Sequence, residues 1–508
     1  MTGSPDGDTS PAGGPAEPHS RERLGGRAAA AIFLGALLVR AIILADLSAH
    51  DPWFASPVGD ERANVEDARR LLRDGFRIDE PYRAPPLYSH LLSIPLALSP
   101  GEPSDPRAMR GLAWAMKGAQ ALLDAGTALL IAALALRLAG RRAAYWAGAI
   151  HAVAFLPVFA SAQLLDTTVA TFLAVLSLRL ALGATEERTA GAWVVAGTAA
   201  GLAALSRESL LLSVPVLALA PWTIPGDRGD RLRSAALLIA GAATVILPAT
   251  FANHRLGGDR VLIATGAGLE FRVGNRPGGG FGADGLTRAT EGPARRALQR
   301  ETAHLERPSE RSAHHASIAR REIAAHPLRF LGRIATKAHA LLHTFDVPDH
   351  KDIAEQRERS WPLRLLPGRS GVVIPLALVG IIFSRSLLRR RALLLLFLAA
   401  QSAATVAFIV SASARTPWSR SPRSPRARCS RSCRRIAPRR AVGRSSAGAR
   451  SSARCSSPRI PTAGGSVSAA PRAIRSRSAR RSRGRGRSRG RAAGTSAPSR
   501  STPGTRMP

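Results

Sequence analysis

Nine strongly apolar stretches punctuate the chain, at residues 28–48, 111–136, 143–160, 167–183, 190–205, 209–222, 234–252, 371–384 and 392–411. All are rich in Leu, Ala, Val and Ile, and several approach the roughly 20 apolar residues that carry a helix across about 30 Å of hydrocarbon. A soluble domain would not space so many such stretches a loop apart. Inside lipid the backbone must satisfy its own hydrogen bonds, so the stretches are predicted to be helices. The pattern predicts an all-α polytopic membrane protein with roughly 9–11 spans.

The polar segments between them orient the chain. Residues 1–20, built from Gly, Pro, Ser and acids, read as a disordered tail. Arg21, Arg23 and Arg27 precede the first stretch and place residues 1–26 in the cytoplasm. That stretch is too long for the apolar part of a cleavable signal peptide, and no small-residue cleavage site follows it. Three basic groups are expected inside: Arg137, Arg141 and Arg142; Arg228, Arg231 and Arg233; and Arg385 with Arg389 to Arg391. Residues 49–84, Asp166, Arg207 and residues 253–370 then fall outside. The number of spans between 85 and 136 stays open, because the stretch 86–99 has only about 14 residues, short for a crossing.

Two segments outside the membrane show helical period. In NVEDARRLLRDG, Val65, Ala68, Leu71 and Leu72 share a face, which predicts an amphipathic helix on the membrane surface. Residues 327–345 carry Arg329, Arg333 and Lys337 at intervals of four, with Phe330, Ile334, Ala338, Leu341 and Leu342 on another side. This predicts an interfacial helix with a cationic stripe. The stripe either snorkels toward water or receives a lipid phosphate.

The net charge of +37 suggests a nucleic-acid partner until its location is considered. The segment 416–508 holds 25 Arg and no Asp, Glu or Lys, so it carries about two thirds of the excess. The remaining excess of about +12 is ordinary for a membrane protein with basic cytoplasmic loops. From 412 onward the chain is Arg, Ser, Pro, Ala and Gly without an apolar period and is predicted to be disordered. It reads either as a basic arm for RNA or anionic lipid, or as a GC-rich gene translated out of frame. The abrupt change of composition and the confinement of Cys429, Cys433 and Cys455 to this region favour the second reading, and no nucleic-acid partner is expected. The membrane body has no cysteine, so no disulfide or cysteine metal site is available to it.

Chemistry has few candidate positions. Asp60 and Glu61 follow the first span by about a dozen residues, where a carboxylate either serves as general base toward a hydroxyl or holds a divalent cation against a phosphate. A solvated loop acid is the bland alternative. Asp166 is a second outward acid, or simply the N-cap of the helix opening at Thr167. Arg40 lies within the first span and is expected to be paired or to face a cavity. Arg207 suits phosphate through its planar fork, or pairs with Glu208. Gly274 to Gly280 lacks the Gly-Lys-Ser/Thr ending of a phosphate-binding loop and reads as a flexible external loop. No His cluster has metal-ligand spacing, and His314 and His315 are expected to be exposed.

The segments LLVRAI, GDERANVEDARRLLRDG, PYRAPPLYSHLL, LLDTTVATFLAVLSL, GLAALSRESLLLSVP, NHRLGGDRVLIATGAGLEFRVGN, HPLRFLGRIATKAHALLHTFDVP and PLALVGI occur in this order. Together they resemble the GT-C superfamily of membrane glycosyltransferases, in particular the bacterial branch similar to protein O-mannosyltransferases and lipid A arabinosyltransferases. The resemblance implies transfer of a hexose or pentose from a polyprenyl-phosphate donor to a lipid, glycan or protein acceptor, at the outer face of the bacterial cytoplasmic membrane. It implies catalytic roles for Asp60 and Glu61, and substrate contacts by Tyr82, Arg83, Tyr88 and Asp166, with Arg207 and Arg333 as candidate phosphate ligands. The implied layout is a transmembrane core at 27–252 with its first external loop at 49–84, an external segment at 253–370, further spans at 371–411 and the Arg-rich tail. The sequence departs from the family at Asn64, where an aromatic residue is common, at Ala252, where Arg often stands, and after Ser411. A transporter or envelope-assembly scaffold is the competing class, but transporters place their polar sites at mid-membrane, whereas these acids cluster outside.

Overall fold

The computed structural model describes residues 24–98, 105–276, 293–342, 351, 353–367, 370–383 and 388–408. The N-terminal tail, most of the Gly-rich stretch after Arg276, residues 343–345 of the predicted interfacial helix, Arg385, and the Arg-rich tail with its three cysteines lie outside them.

Among the described residues every regular element is a helix, as the apolar pattern predicts. Four are long and apolar enough to cross a membrane: α1 (Gly26–His50), α4 (Pro106–Val153), α6 (Thr167–Glu187) and α9 (Arg228–Arg255). Between them stand α2 (Asp60–Arg73), α3 (Pro86–Leu98), α5 (Phe155–Ser161), α7 (Ala190–Ser206) and the short α8 (Ser213–Leu217). The protein turns large apolar side chains outward. Leu34 and Leu38 on α1, and Leu247 and Phe251 on α9, are each more than half exposed. Water would penalise such a surface and lipid does not.

The 48-residue α4 is two arms rather than one rod. Gly140 breaks it with φ 83°, a left-handed value that a Cβ would disfavour. The second arm folds back along the first. A Cβ on Gly148 would lie 3.2 Å from the Cβ of Ala132, and the His151 ring meets Asp124 at 3.0 Å. The basic turn of Arg137, Arg141 and Arg142 therefore sits at the end of this hairpin. α3 has 13 residues, about 20 Å at 1.5 Å per residue. It packs beside the start of α4, with Leu96 against the cluster of Met109 and Leu112, and Tyr88 bonded to Gln120. The count of crossings closes if α3 returns on the outer side and α4 alone passes inward.

Two apolar stretches are not continuous helices. The stretch 143–160 is interrupted at Ala154, in extended backbone, just before α5. The stretch 209–222 becomes a 3₁₀ turn at Glu208–Leu212, then α8, then a second 3₁₀ turn at Ala220–Thr223. Pro215 and Pro221 each remove a backbone donor there, which weakens a continuous helix over this stretch.

Charge inside the bundle is neutralised in place. Arg40 is fully buried; its Nε donates to Asp124 Oδ2 at 2.8 Å and its Nη1 to the Ala36 and Ala152 carbonyls. Asp124 also meets His151 Nε2 at 3.0 Å. This satisfied group ties α1 to both arms of α4, so Arg40 is paired rather than facing the cavity described below. α7 and α9 approach more closely than side chains permit. A Cβ on Gly197 would stand 1.8 Å from the Leu238 carbonyl oxygen, and one on Gly241 would stand 2.2 Å from that of Val194. Small residues let lipid-embedded backbones touch, where dispersion replaces the hydrophobic drive.

The segment after α9 forms an outer layer of α10 (Ala267–Asn275), α11 (Pro293–Glu301), α12 (Pro308–Ala325) and α13 (Pro327–Leu342). His315 is buried, within 2.9 Å of Arg272, which corrects the expectation that it is exposed. The start of α12 is fixed by Asp259, whose carboxylate accepts Ser309 N and Ser309 Oγ, both at 2.7 Å. Burial pushes the Asp259 carboxyl up, but these bonds outweigh it and hold the group below the ordinary carboxylate value. A depressed carboxyl stabilises the fold above its unfolded value, near 4, and loses that contribution as pH falls through the folded value. The α12 attachment is therefore expected to loosen below about pH 4. Hydrogen-exchange protection factors across 308–325, corrected for the intrinsic pH dependence of exchange, read this, and Asp259→Asn should abolish their fall at low pH; protection unchanged from pH 6 to pH 3 refutes it.

The later segment supplies α14 (Ile353–Arg359), α15 (Trp361–Leu365), α16 (Ser370–Phe383) and α17 (Leu388–Ala407). The predicted cationic stripe on α13 divides. Arg329 is exposed and Arg333 half-buried, while Lys337 is buried and donates to Asn275 Oδ1 at 3.0 Å and the Phe408 carbonyl at 2.9 Å. Burial and then the charge of Arg333 lower Lys337 to about 8. Lys337 thus anchors α13 to α10 and the end of α17, and is not available to a lipid phosphate.

Candidate active site

The predicted amphipathic helix is α2, with Val65, Ala68 and Leu71 buried as the spacing requires. Gly59, at φ 56°, turns the chain into it, so that Asp60 and Glu61 occupy the first helical turn, where the helix dipole favours negative charge. The two acids then part. Asp60 is exposed and lines a cavity. Glu61 is 1% exposed and absent from the cavity wall.

Glu61 is held by a distant part of the chain. Its Oε1 accepts Leu164 N at 3.0 Å, and Lys351 Nζ stands 3.2 Å from Oε1 and 3.1 Å from Oε2. Lys351 also reaches the Trp53 carbonyl at 3.5 Å, and Lys117 donates to the Phe54 carbonyl at 2.7 Å. Gln356 on α14 donates to Asp51 Oδ1 at 3.1 Å. Ile353 and Leu363 pack into the cluster of Ile43, Leu47, Phe54 and Phe155. Residues 351–363 thus clamp the loop 51–59 on which the placement of Asp60 depends.

The cavity has a volume of about 1790 Å³. Ordinary small-ligand pockets occupy about 300–1,000 Å³, so this one can admit two substrates side by side. Asp60, Tyr82, Arg83, Tyr88, Asp166 and Arg207 all line it. Of the eight candidates, Glu61 lies behind the wall, and Arg333 lies on α13, outside the lining.

Each lining residue has a local reason for its position. Tyr88 is buried on the first turn of α3, and its hydroxyl donates to Gln120 Oε1 at 2.7 Å. Gln120 in turn donates to the Ser161 and Gln163 carbonyls, which ties the first arm of α4 to the end of α5 and the turn after it. Burial raises the Tyr82 phenol, so it stays protonated at neutral pH. Arg83 meets Asp67 on α2 at 3.4 Å.

Asn253, one turn from the end of α9, is the residue the sequence reading missed. It is fully buried, accepts Tyr82 N at 2.9 Å, and donates to the carbonyls of Val261 and Ile263. It fixes the Tyr82–Arg83 strand of chain against the loop 256–266, where Thr265 N also donates to the Tyr82 carbonyl at 2.9 Å. The signal was a lone Asn in an apolar stretch, which needs partners when buried.

Asp166 forms a two-pronged pair with Arg207: Nε to Oδ2 at 2.8 Å and Nη2 to Oδ1 at 3.1 Å, with a further bond from Nη2 to Thr167 Oγ1 at 2.9 Å. The Asp166 side chain makes no capping bond to α6, and Arg207 pairs with Asp166 rather than Glu208. A cation shared by Asp60 and Glu61 is not supported, because both Glu61 oxygens are engaged by Lys351 and the backbone.

The cavity wall is therefore acidic and basic at once, and it is joined to the bundle through α3, which Tyr88 ties to Gln120 on α4, and through the ends of α6 and α7. Residues 108–252 match the model of the dolichyl-phosphate-mannose-protein mannosyltransferase family. The matched segment contains Gln120, Asp166 and Arg207, and it ends one residue before Asn253. No curated protein and no solved structure matches the chain. The family match, with the apolar helices, supports a multi-pass membrane glycosyltransferase of the GT-C superfamily that draws on a lipid-linked sugar.

Proposed function

We propose that the chain transfers a sugar from a polyprenyl-phosphate donor to a hydroxyl acceptor at the extracytoplasmic face of a bacterial cytoplasmic membrane, with Asp60 as general base. The observation that carries this reading is the meeting of six residues, from Asp60 to Arg207, in the wall of one cavity. They come from four separate segments, and a merely solvated loop acid would have no reason to share a wall with Tyr82, Tyr88 and the Asp166–Arg207 pair.

The acceptor oxygen attacks the anomeric carbon while the bond from that carbon to the phosphate oxygen breaks. The phosphate leaves with the bonding pair while Asp60 takes the hydroxyl proton, and this single displacement, with attack opposite the leaving oxygen, inverts the anomeric centre. Arg83 and Arg207 supply positive charge where negative charge develops on the leaving group. Glu61 acts at one remove, since its ion pair with Lys351 sets the start of α2. The polyprenyl chain lies in a groove between helices, and Arg333, on α13, stands outside the cavity.

The test combines turnover with sidedness. The purified full chain in nanodiscs is given labelled polyprenyl-phosphate mannose, and release of polyprenyl phosphate is followed. In parallel, Val58→Cys is introduced with Cys429, Cys433 and Cys455 changed to Ser, and intact cells are treated with an impermeant thiol reagent. Turnover and labelling from outside are expected. Labelling from the cytosolic side alone overturns the assignment and favours a transporter or scaffold.

A further inference from the structure

The cavity also carries a carboxyl that the reaction above does not use. Glu208 follows Arg207, opens the 3₁₀ turn after α7 and lines the cavity. Its Oε1 is buried and has no hydrogen-bond partner. Two residues earlier, Ser206 lines the same cavity at 1% exposure, and its Oγ also lacks a partner. Buried polar atoms in native proteins are overwhelmingly paired, so two orphans beside one turn of the cavity wall mark a place that a polar ligand completes.

The charges around this turn restrict the ligand. Arg207, the adjacent cation, has its Nε and Nη2 on Asp166 and Thr167, so the phosphate it serves in the reading above is assigned to that side of it and not to Glu208. Glu270 on α10 lines the cavity and repels negative charge at Glu208. Burial first, and Glu270 second, raise the Glu208 carboxyl to about 7. A phosphate would meet two acids here, so an anion is disfavoured. Hydroxyl groups fit: a carboxyl that keeps its proton both donates and accepts, and the Ser206 hydroxyl does the same.

Resting on the glycosyltransferase reading, we propose that Glu208 and Ser206 form a subsite that binds the hydroxyl groups of the donor sugar. The recognition energy comes from completing buried hydrogen bonds. Such a site discriminates sharply against a ligand without the hydroxyls, because its polar groups then stay unpaired.

The experiment reads binding, so it does not depend on turnover. The full chain in nanodiscs is heated with polyprenyl-phosphate mannose or with polyprenyl phosphate alone, and the difference in Tm between the two lipids isolates the sugar. A clear difference is expected for the wild type at pH 6, shrinking as pH rises through about 7. Glu208→Gln, which stays neutral, should keep the difference across that range, and its donor KM should stay within about threefold of wild type. Glu208→Ala should erase the difference and raise donor KM about tenfold, with kcat little changed. Equal stabilisation of the wild type by the two lipids overturns the subsite, as does Glu208→Ala behaving as wild type. A Glu208→Gln loss as deep as that of Glu208→Ala also overturns it, since an ionised carboxylate would then be required. Sugar-dependent stabilisation without turnover keeps the subsite and removes the catalytic reading instead.

Discussion

Changing Asp60 to Asn is expected to reduce sugar transfer by a factor of about 10² to 10⁴, the range that a positioned general base contributes. Asn keeps the shape of the side chain and cannot accept the proton. Asp60 is exposed on the first turn of α2, while the buried side of that helix is carried by Glu61, Val65, Ala68 and Leu71. The substitution should therefore leave the melting temperature nearly unchanged. Donor KM should also change little, because the lost interaction is made with the acceptor in the transition state. A variant with full transfer rate removes Asp60 from the reaction. A variant that loses rate only by unfolding leaves Asp60 a structural residue.

Lys351→Met is expected to have the largest effect on stability. Lys351 and Glu61 are both almost fully buried, with side-chain exposures of 5% and 2%. Removing one partner of a buried pair strands the other charge, at a cost of about 3–5 kcal/mol. The double variant Glu61→Gln with Lys351→Met should be less destabilised than Lys351→Met alone, because no charge is left stranded. Thermal or denaturant unfolding in detergent gives both numbers. A cost under about 1 kcal/mol for Lys351→Met would show that the clamp does not hold the loop. Transfer by the double variant separates folding from positioning. If the clamp places Asp60, kcat falls while donor KM holds, even where stability has recovered.

The two substitutions also show how far the sequence could be read. Asp60 was visible as an acid a dozen residues beyond a span, and α2 as a period of Val65, Ala68 and Leu71. Lys351 was invisible as the partner of Glu61, since 290 residues separate them and Lys351 belongs to no periodic pattern. The same holds for Arg40. Its intramembrane charge announced a partner, but Asp124 lies 84 residues away and His151 a further 27. The α13 stripe misled for a related reason. Spacing of four says that Arg329, Arg333 and Lys337 share a helix side, but not that Asn275 and Phe408 cover its far end.

What the sequence determined by itself was the helical, many-spanning character of the chain, because hydrocarbon length and backbone hydrogen bonding act on contiguous residues. The tertiary structure alone decided that Gly140 folds α4 into a hairpin and that Asn253 ties α9 to Tyr82. It also decided that Asp166 answers Arg207, and that Asp60 looks into the cavity while Glu61 is locked behind it. Those outcomes depend on which surfaces meet once the helices pack, and a buried polar group finds its partner by proximity in space, which no local period along the chain encodes.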